Sequence, residues 1–259
     1  MPEFINSEKK GSVLWLTLNR PDVYNAFNEA MLMELQEAFK AAADDDEVRC
    51  VVLTGSGKAF CSGQDLKDFN EKKSTFKEAL DKKYNPLIRQ ITSLPKPVIC
   101  GINGVAAGAG LSVALACDYR VAVESASLIE VFINVGLVPD SGSSFTLPRL
   151  IGYARAFEMC ATADKMSAVE AYRIGLVNKV VSNGKTLNVF LEKVSVKYAS
   201  MPTKAIGMIK DMLMKSFDSG LNEMLELESK YQDIAGDTED FKEGINSFIE
   251  KRKPKFLGK

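Results

Sequence analysis

Two glycine-rich turns carry the residues whose types and spacing point most directly to chemistry. One is Gly63-Gln64, at the end of a mostly apolar run, and the other is Gly108-Ala109-Gly110, before a stretch of small and apolar residues. Glycine lets the backbone approach a ligand closely, and the first amides of a helix have no intrahelical partner. If the amides of Gln64 and Ala109 converge on one carbonyl oxygen, they form an oxyanion hole that stabilises an enolate-like transition state. Taken alone, however, each turn is more often purely structural.

Two glycine-containing segments resemble nucleotide-binding motifs, but neither of them fits. The segment Gly55-Ser56-Gly57-Lys58 is followed by Ala59, where a phosphate-binding loop needs serine or threonine. The segment that begins at Gly108 has Val113 where the dinucleotide-binding GxGxxG motif needs its third glycine. We therefore expect a tight turn in the first segment and no dinucleotide at the second.

The chain of 259 residues contains no histidine, and this narrows the chemistry further. It excludes Ser-His-Asp and Cys-His catalysis, HExxH metal sites and any histidine general base. Carboxylates, backbone dipoles, hydroxyl groups, Lys, Tyr or a bound cofactor must carry the reaction instead. The 5 cysteines are odd in number and form no CxxC pair, so we expect them to pack in a reducing cytosol without disulfides or a metal site.

Charge and hydropathy give no sign of a polyanionic or membrane partner. Lys and Arg total 33 against 34 Asp and Glu, for a formal net charge of -1. No apolar run approaches the ~20 residues that cross a bilayer. The first residues, MPEFINSEKKGS, include acidic side chains and lack the apolar segment of a signal peptide. We therefore predict a cytoplasmic protein that binds neither nucleic acid nor membrane.

Strands and helices alternate along most of the chain. Apolar runs predict strands at Val13–Leu18, Val51–Leu53, Pro97–Ile102 and Tyr119–Val123. Helical spacing predicts helices from an Asn28 N-cap to about Ala43, over 71–92 with a mobile entry at Glu71–Lys73, and over Gly108–Cys117. From about Gly142 the pattern is almost wholly helical, with two or three helices in 203–252. This order predicts an α/β fold with a core of residues 1–200 and a helical C-terminal region of residues 201–259.

A series of short segments, spread in order over nearly the whole chain, forms a recognisable set. The segments are Asn19–Phe27, Ala59–Leu66, Pro95–Val98, Gly104–Gly110, Ala116–Asp118, Gly136–Asp140, Ala168–Val177 and Glu243–Arg252. This set resembles the crotonase (enoyl-CoA hydratase/isomerase) superfamily. The resemblance implies a crotonase-type spiral of ββα units with a C-terminal helical trimerisation region, assembled as a homotrimer or homohexamer. It also implies an acyl-CoA thioester substrate, and since coenzyme A is then part of the substrate, no separate cofactor is expected.

The resemblance assigns roles to the two glycine-rich turns. It implies that the amides of Gln64 and Ala109 hold the thioester oxygen, with Gly110 as a further contact. The neighbouring residues that would shape the adenine and pantetheine pocket are Ser62, Gly63, Asp65 and Leu66. Lys251 is similar in position to a C-terminal lysine that in some relatives reaches a CoA phosphate across a subunit boundary. A solvated helix face explains Lys251 equally well.

The family varies its carboxylates, and this chain keeps one of them. The positions of the two glutamates of enoyl-CoA hydratases fall on Ser112 and Phe132, which argues against hydration because carboxylates must hold and activate the water. Asp140 remains, although without the resemblance it would be interpreted as the N-cap of the next helix. Dienoyl-CoA isomerases share this acid but need two more, 4-chlorobenzoyl-CoA dehalogenases also need a histidine and a tryptophan, and the other naphthoate synthase signatures are missing.

Two isomerase groups place an acid at the position of Asp140. Δ3,Δ2-enoyl-CoA isomerases have Glu there and resemble Gly142–Pro148, and the epoxide isomerases of phenylacetate breakdown have Asp. One carboxylate is sufficient for a 1,3-proton shift, because it can remove a proton from C2 and return one at C4. An apolar wall of Phe132, Val135 and Leu137 would raise the pKa of this acid and exclude water.

The sequence therefore predicts an isomerase that converts a 3-enoyl-CoA into a 2-enoyl-CoA. Asp140 would be the acid/base, the amides of Gln64 and Ala109 the oxyanion hole, and Phe132 and Leu137 substrate contacts. Three alternatives stay open: an isomerase that opens a CoA-linked epoxide to an oxepin, an enoyl-CoA hydratase, and a non-catalytic oligomer that binds acyl-CoA.

Overall fold

The fold is built from strands that alternate between two sheets. The computed structural model of the chain describes residues 3–68 and 75–259. The strands are, in chain order, β1 (Ile5–Lys10), β2 (Val13–Leu18), β3 (Cys50–Gly55), β4 (Ala59–Cys61), β5 (Val98–Ile102), β6 (Val105–Ala107), β7 (Tyr119–Val123), β8 (Ser127–Ile129), β9 (Met166–Ser167) and β10 (Lys179–Val181). One sheet has the order β1-β2-β3-β5-β7-β10, and the other has the order β4-β6-β8-β9.

Helices cover the sheets and form the C-terminal part of the chain. They are α1 (Glu29–Asp44), α2 (Phe76–Ala79), α3 (Asn85–Ser93), α4 (Ala109–Ala116), α5 (Ser143–Ile151), α6 (Tyr153–Thr162), α7 (Ala168–Arg173), α8 (Gly184–Ala199), α9 (Thr203–Lys215), α10 (Leu221–Gly236) and α11 (Glu239–Ile249). A π-helical turn at Leu80–Tyr84 joins α2 to α3, and 3-10 turns lie at Pro21–Val23 and Val131–Val135. Within the described ranges, no helix has the length and apolar character needed to cross a bilayer.

Each repeat of the fold contributes one strand to each sheet. In the larger sheet β3 pairs with β5 and β5 with β7, all parallel. The strands that follow them directly in the chain, β4, β6 and β8, pair in parallel in the smaller sheet. The predicted α/β fold, a spiral of ββα units followed by helices, is therefore confirmed.

Most of the longer predicted elements agree with the structure, and the differences are two short strands and one interrupted helix. Asn28 caps α1 as predicted, since its Oδ1 accepts from the Met31 amide at 2.8 Å. The region predicted as almost wholly helical after Gly142 contains β9 and β10, which pair with β8 and β7 and depend on those distant partners. The predicted helix at 71–92 is divided into α2, the π-helical turn and α3. Its predicted mobile entry, Glu71–Lys73, lies outside the described residues.

Helix α4 is buried on every side, and its small residues make this packing feasible. All of its residues are buried, including Ser112. At Gly110 an added Cβ would lie 2.5 Å from the carbonyl oxygen of Cys61 and 2.7 Å from its Cβ. Only glycine therefore allows the start of α4 to lie directly against the end of β4. This contact places the two glycine-rich turns side by side.

Charged side chains fasten the C-terminal helices to the spiral. Arg49 donates to the carbonyl oxygens of Met201 at 2.6 Å and Phe256 at 2.7 Å. Lys210 on α9 pairs with Asp118 at 2.8 Å. These bonds cross the predicted boundary at residue 200, and the division into a core and a C-terminal region stays a prediction.

We predict that Gly110→Ala lowers the free energy of unfolding by about 1–3 kcal/mol, because its methyl group would overlap Cys61. The matched control is Gly236→Ala at the end of α10, where nothing lies within 4 Å of an added Cβ. Urea denaturation of the two variants and the wild type measures the difference. Equal stability of both variants would contradict the close contact of α4 with β4.

Candidate active site

A cavity of about 220 Å³ lies beside the two glycine-rich turns. Ser62, Gly63, Gln64 and Leu66 line it from the turn after β4, and Gly108 and Ala109 line it at the start of α4. Phe76, Ala79, Leu80 and Tyr84 line it from α2 and the π-helical turn. The remaining wall comes from the segment after β8: Val131, Phe132, Asn134, Val135, Leu137 and Asp140. The lining is therefore largely apolar, with a carboxyl group at one side and two backbone turns at the other.

The two turns contact each other through atoms of the backbone. Gly63 has a φ of 100°, a left-handed conformation that glycine adopts without strain. A Cβ added at Gly63 would lie 3.0 Å from the carbonyl oxygen of Ala107 and 3.7 Å from the nitrogen of Ala109. The turn after β4 thus approaches the beginning of α4 to within van der Waals distance.

The amides of Gln64 and Ala109 are available to a ligand. The Phe27 amide donates to the Gly63 carbonyl at 2.7 Å and the Asp65 amide donates to the Phe27 carbonyl at 2.9 Å, which leaves the Gln64 amide between them unused. Ala109 is the first residue of α4. Within residues 3–68 and 75–259, neither amide donates a hydrogen bond. Both residues line the cavity, as an oxyanion hole requires, and the positive end of the α4 dipole lies at Ala109.

Tyr84 fixes the side chain of Gln64 and was not predicted from the sequence. Its hydroxyl donates a short hydrogen bond to Gln64 Oε1, and Gln64 Nε2 donates to the Phe27 carbonyl at 3.1 Å. The rings of Tyr84 and Phe27 meet edge to face with centroids 6.2 Å apart. Burial raises the pKa of the Tyr84 hydroxyl well above its usual value, so it stays a neutral donor. These contacts hold the turn in one conformation.

Asp140 presents its carboxyl group to the apolar wall of the cavity. The Ser141 hydroxyl donates to Asp140 Oδ1 at 2.8 Å. Burial raises the pKa of Asp140, and the hydrogen bond from Ser141 opposes that rise. A carboxyl group in this environment is a stronger base than one in water, and it keeps a captured proton more readily.

The interpretation of Asp140 as an N-cap is wrong. Helix α5 begins at Ser143 with Gly142 as its N-cap residue, and no side chain caps its first turn. Ser141 and Gly142 both have left-handed backbone conformations, with φ of 51° and 86°. This turn separates Asp140 from the helix, so its side chain lies at the cavity instead.

Glu130 is a second buried acid close to the cavity, and it was not predicted from the sequence. Its side chain is 0% exposed, and Ser143 Oγ lies 2.9 Å from its Oε1. Ser143 Oγ is in turn 2.8 Å from Ser112 Oγ, and Ser112 Oγ is 3.1 Å from the carbonyl oxygen of Asp140. Burial raises the pKa of Glu130 to about 8, and the nearby charge of Asp140 acts in the same direction. A single acidic residue within the apolar run Ser127–Phe132 was the available signal.

The other predicted site residues divide into two groups. Ser62, Gly63, Leu66, Phe132 and Leu137 line the cavity together with Gln64, Ala109 and Asp140. Gly110, Asp65 and Lys251 do not line it: Gly110 packs on Cys61, Asp65 pairs with Arg20 at 3.0 Å, and Lys251 is exposed after α11. The proposed contacts of Asp65 and Lys251 with coenzyme A stay predictions. The described ranges contain no group of three or more acidic or cysteine side chains placed to hold a metal ion.

Comparisons with known proteins show which family and which proteins the chain resembles. Residues 8–259 match the family described as Enoyl-CoA hydratase/isomerase. The chain is 40% identical to the 1,2-epoxyphenylacetyl-CoA isomerase of Escherichia coli K12 over 100% of both chains. It is 35% identical to the trans-2-decenoyl-[acyl-carrier-protein] isomerase of Streptococcus mutans over 95% of both chains. The crystal structure of an enoyl-CoA hydratase from Bacillus anthracis superimposes with a TM-score of 0.93 at 33% identity, covering 99% of this chain and 100% of that one.

We predict that Ser141→Ala raises the pKa of Asp140, because the carboxylate loses the hydrogen bond that stabilises its charged form. The fraction of ionised Asp140 at a given acidic pH then decreases, so any process that needs the carboxylate begins at higher pH. Carboxyl-carbon NMR titration measures this directly. Ser229→Ala, on α10, is the control and should leave the titration unchanged. A lowered or unaltered pKa in Ser141→Ala would contradict the assignment.

Proposed function

The chain belongs to the enoyl-CoA hydratase/isomerase family, and on this premise we propose that it is an isomerase that converts a 3-enoyl-CoA into a 2-enoyl-CoA. One observation carries the proposal. Among the described residues that line the cavity, Asp140 supplies the carboxyl group, and it shares that cavity with the free amides of Gln64 and Ala109.

The proposed reaction begins with the thioester oxygen in the hole formed by the two amides. Negative charge that develops on this oxygen is stabilised by the fixed N–H groups, and this acidifies the protons on C2. Asp140 removes one of these protons, and the resulting dienolate spreads its charge from the oxygen to C4. The protonated Asp140 then delivers a proton to C4, which restores the carboxylate. The double bond moves from C3–C4 to C2–C3, and no proton is gained or lost overall.

The surroundings of Asp140 support this use of one carboxyl group. Phe132 and Leu137 line the cavity on the same segment and limit the access of water. The raised pKa of Asp140 makes proton removal and return more nearly balanced at neutral pH. Because the same group removes and returns the proton, the reaction requires no second acid.

Hydration is less well supported, since it needs a second carboxylate to hold the water. Ser112 is buried beneath the Asp140 backbone, and the ring of Phe132 belongs to the cavity wall. Glu130 is a carboxylic acid nearby, but it is buried and does not line the cavity.

A second candidate is the isomerisation of a CoA-linked epoxide to an oxepin. The observation that favours it is the full-length identity of 40% with the 1,2-epoxyphenylacetyl-CoA isomerase of Escherichia coli K12. Aromatic side chains of Phe76, Tyr84 and Phe132 line the cavity and suit a ring-bearing acyl group. The same oxyanion hole and acid would serve both reactions.

We also propose that the chain assembles as a homotrimer or homohexamer through its C-terminal helices. Helix α11 exposes the apolar side chains of Phe241, Ile245, Phe248 and Ile249, and Phe248 is 84% exposed. Exposed apolar surface of this kind favours burial against another subunit. Lys251, directly after this helix, would then approach the coenzyme A of a neighbouring subunit.

The assay compares wild-type protein, Asp140→Asn and Asp140→Ala with 3-hexenoyl-CoA, crotonyl-CoA and an epoxyphenylacetyl-CoA. We predict that the wild type isomerises 3-hexenoyl-CoA. Both variants should lose about 10²–10⁴-fold in kcat, the usual contribution of a positioned acid/base. Asp164→Asn, an exposed position, is the matched control. Calorimetric binding of a CoA ester should persist in the Asp140 variants.

Hydration of crotonyl-CoA without isomerisation of either other substrate would overturn the proposal. Full isomerase activity in Asp140→Ala would also overturn it. Binding of CoA esters without turnover by the wild type would support the non-catalytic alternative instead.

A further inference from the structure

Glu130 is a buried acid that the proposed reaction does not use. It directly follows β8, its side chain is 0% exposed, and it does not line the cavity. Within the described part of the chain, its Oε2 has no hydrogen-bond partner. An ionised carboxylate with one unpartnered oxygen in such a place carries a large desolvation cost, whereas a neutral acid avoids most of it.

The hydroxyl groups next to Glu130 form a continuous series of short contacts. Glu130 Oε1 is 2.9 Å from Ser143 Oγ, and Ser143 Oγ is 2.8 Å from Ser112 Oγ. Ser112 Oγ then lies 3.1 Å from the carbonyl oxygen of Asp140 and 3.2 Å from that of Gly108. All of these distances are hydrogen-bond distances, and each bond requires a proton between its two oxygens.

The number of protons in this series depends on the charge of Glu130. If Glu130 is ionised, the only protons are those of the Ser143 and Ser112 hydroxyls. Ser143 must donate to the carboxylate, so Ser112 must donate either to Ser143 or to a carbonyl group. In the first case both contacts of Ser112 with the carbonyl oxygens lack a proton, and in the second case the contact between Ser112 and Ser143 lacks one. An oxygen pair without a proton is repulsive.

A neutral Glu130 supplies the missing proton. Its hydroxyl donates to Ser143, Ser143 donates to Ser112, and Ser112 donates to the backbone carbonyl groups. The single proton of Ser112 is shared between the carbonyl oxygens of Gly108 and Asp140, so every contact is part of a hydrogen bond and all of them run in one direction. The carbonyl oxygen of Asp140 also accepts from the Ser143 amide at 3.1 Å, so the peptide that carries Asp140 is held from two sides.

We propose that Glu130 is a positioning residue for Asp140: as a neutral acid it begins a one-way series of hydrogen bonds through Ser143 and Ser112 that fixes the backbone of Asp140. This inference depends on the role of Asp140 proposed above. Ionisation of Glu130 would turn the Ser143 proton towards the carboxylate and the Ser112 proton towards Ser143. The Asp140 carbonyl would then lose one of its donors, next to the left-handed turn at Ser141.

The groups around Glu130 agree with a neutral state at physiological pH. Burial raises its pKa to about 8, and the charge of Asp140, from the loop before α5, adds to this rise. On α6, burial raises the pKa of Cys160 to about 11, with a smaller contribution from Glu130. On α5, Arg149 pairs with Asp218 instead. Residues 127–129, α4 and the 3-10 turn at 131–135 contain no titratable side chain, and the remaining ones of α6 are exposed: Tyr153, Arg155 and Glu158.

The kinetic test uses full-length Glu130→Gln, Glu130→Met and Ser143→Ala with the acyl-CoA that the wild type isomerises. Glutamine can donate from Nε2 to Ser143 and cannot ionise. We expect kcat of the wild type to decline above about pH 8. We expect Glu130→Gln to keep kcat at pH 7 within a few-fold of the wild type and to lack this decline. Glu130→Met and Ser143→Ala break the series and should lower kcat by ~10- to 100-fold, the effect of a small displacement, with little change in KM.

A double variant and a control sharpen this test. Glu130→Met combined with Ser143→Ala should lose no more kcat than either change alone, because both interrupt the same series. Glu158→Gln, an exposed acid on α6, is the control and should match the wild type in kcat and in pH profile. An unaltered kcat in Glu130→Met, or a wild-type decline at high pH in Glu130→Gln, would overturn the proposal.

A stability measurement tests the neutral Glu130 without any assay of turnover. The unfolded chain loses this proton near the ordinary pKa of glutamate, about 4.5, and the folded chain keeps it up to about pH 8. Folding therefore takes up a proton between these values, and stability falls as the pH rises through that window. We expect the urea midpoint of the wild type to decrease relative to Glu130→Gln from pH 5 to pH 8.

The two measurements separate the possible failures. A constant midpoint difference between the wild type and Glu130→Gln would overturn the neutral state of Glu130, whatever the enzyme does. A pH-dependent difference, together with no turnover of any acyl-CoA, would retain the neutral Glu130 and reject the proposed function.

Discussion

The contact between the start of α4 and the end of β4 is the constraint on which the site depends. Gly110 lies so close to Cys61 that a single methyl group would not fit between them, and a Cβ added at Gly63 would lie 3.0 Å from the carbonyl oxygen of Ala107. The parallel pairing of β4 with β6 sets this approach, because Cys61 lies opposite Ala106. The amides of Gln64 and Ala109 follow these two strands by a few residues. The position of these amides is therefore a consequence of sheet register and of the absence of a side chain at Gly63 and Gly110.

The chemistry on the other side of the cavity depends on two buried acids with different surroundings. Asp140 lines the cavity and receives one hydrogen bond, from Ser141, so it can exchange a proton with a ligand. Glu130 lies behind it among apolar side chains and serine hydroxyls, and its charge and that of Asp140 oppose each other. The charge of an ionised Asp140 therefore disfavours ionisation of Glu130. We propose that Asp140 is ionised and that Glu130 keeps its proton.

Much of the fold and part of the site could be predicted from the sequence. Strands such as β2, β3 and β5 have continuous apolar runs, and the segments around Gly63, Gly108 and Asp140 resemble those of a known family over the whole chain. Strands β9 and β10 could not be predicted, because two or three residues form a strand only beside a partner that is distant in sequence. Asp140 is not an N-cap because Ser141 and Gly142 have left-handed φ angles that separate it from the helix. Local propensity does not reveal these angles. Glu130 and Tyr84 gain their roles from neighbours on other elements, and the one signal in the sequence was the single acid within the apolar run Ser127–Phe132.

The central claim is that one carboxyl group, Asp140, carries a proton from C2 to C4 of the acyl chain. The most direct test is the fate of deuterium when 3-hexenoyl-CoA labelled at C2 is converted by the wild type under single-turnover conditions. When both hydrogens at C2 of the substrate are deuterium, we expect a fraction of the 2-hexenoyl-CoA to carry one deuterium at C2 and one at C4. Product in which the proton at C4 always comes from water would contradict the direct transfer of the C2 proton to C4 by one carboxyl group shielded from water.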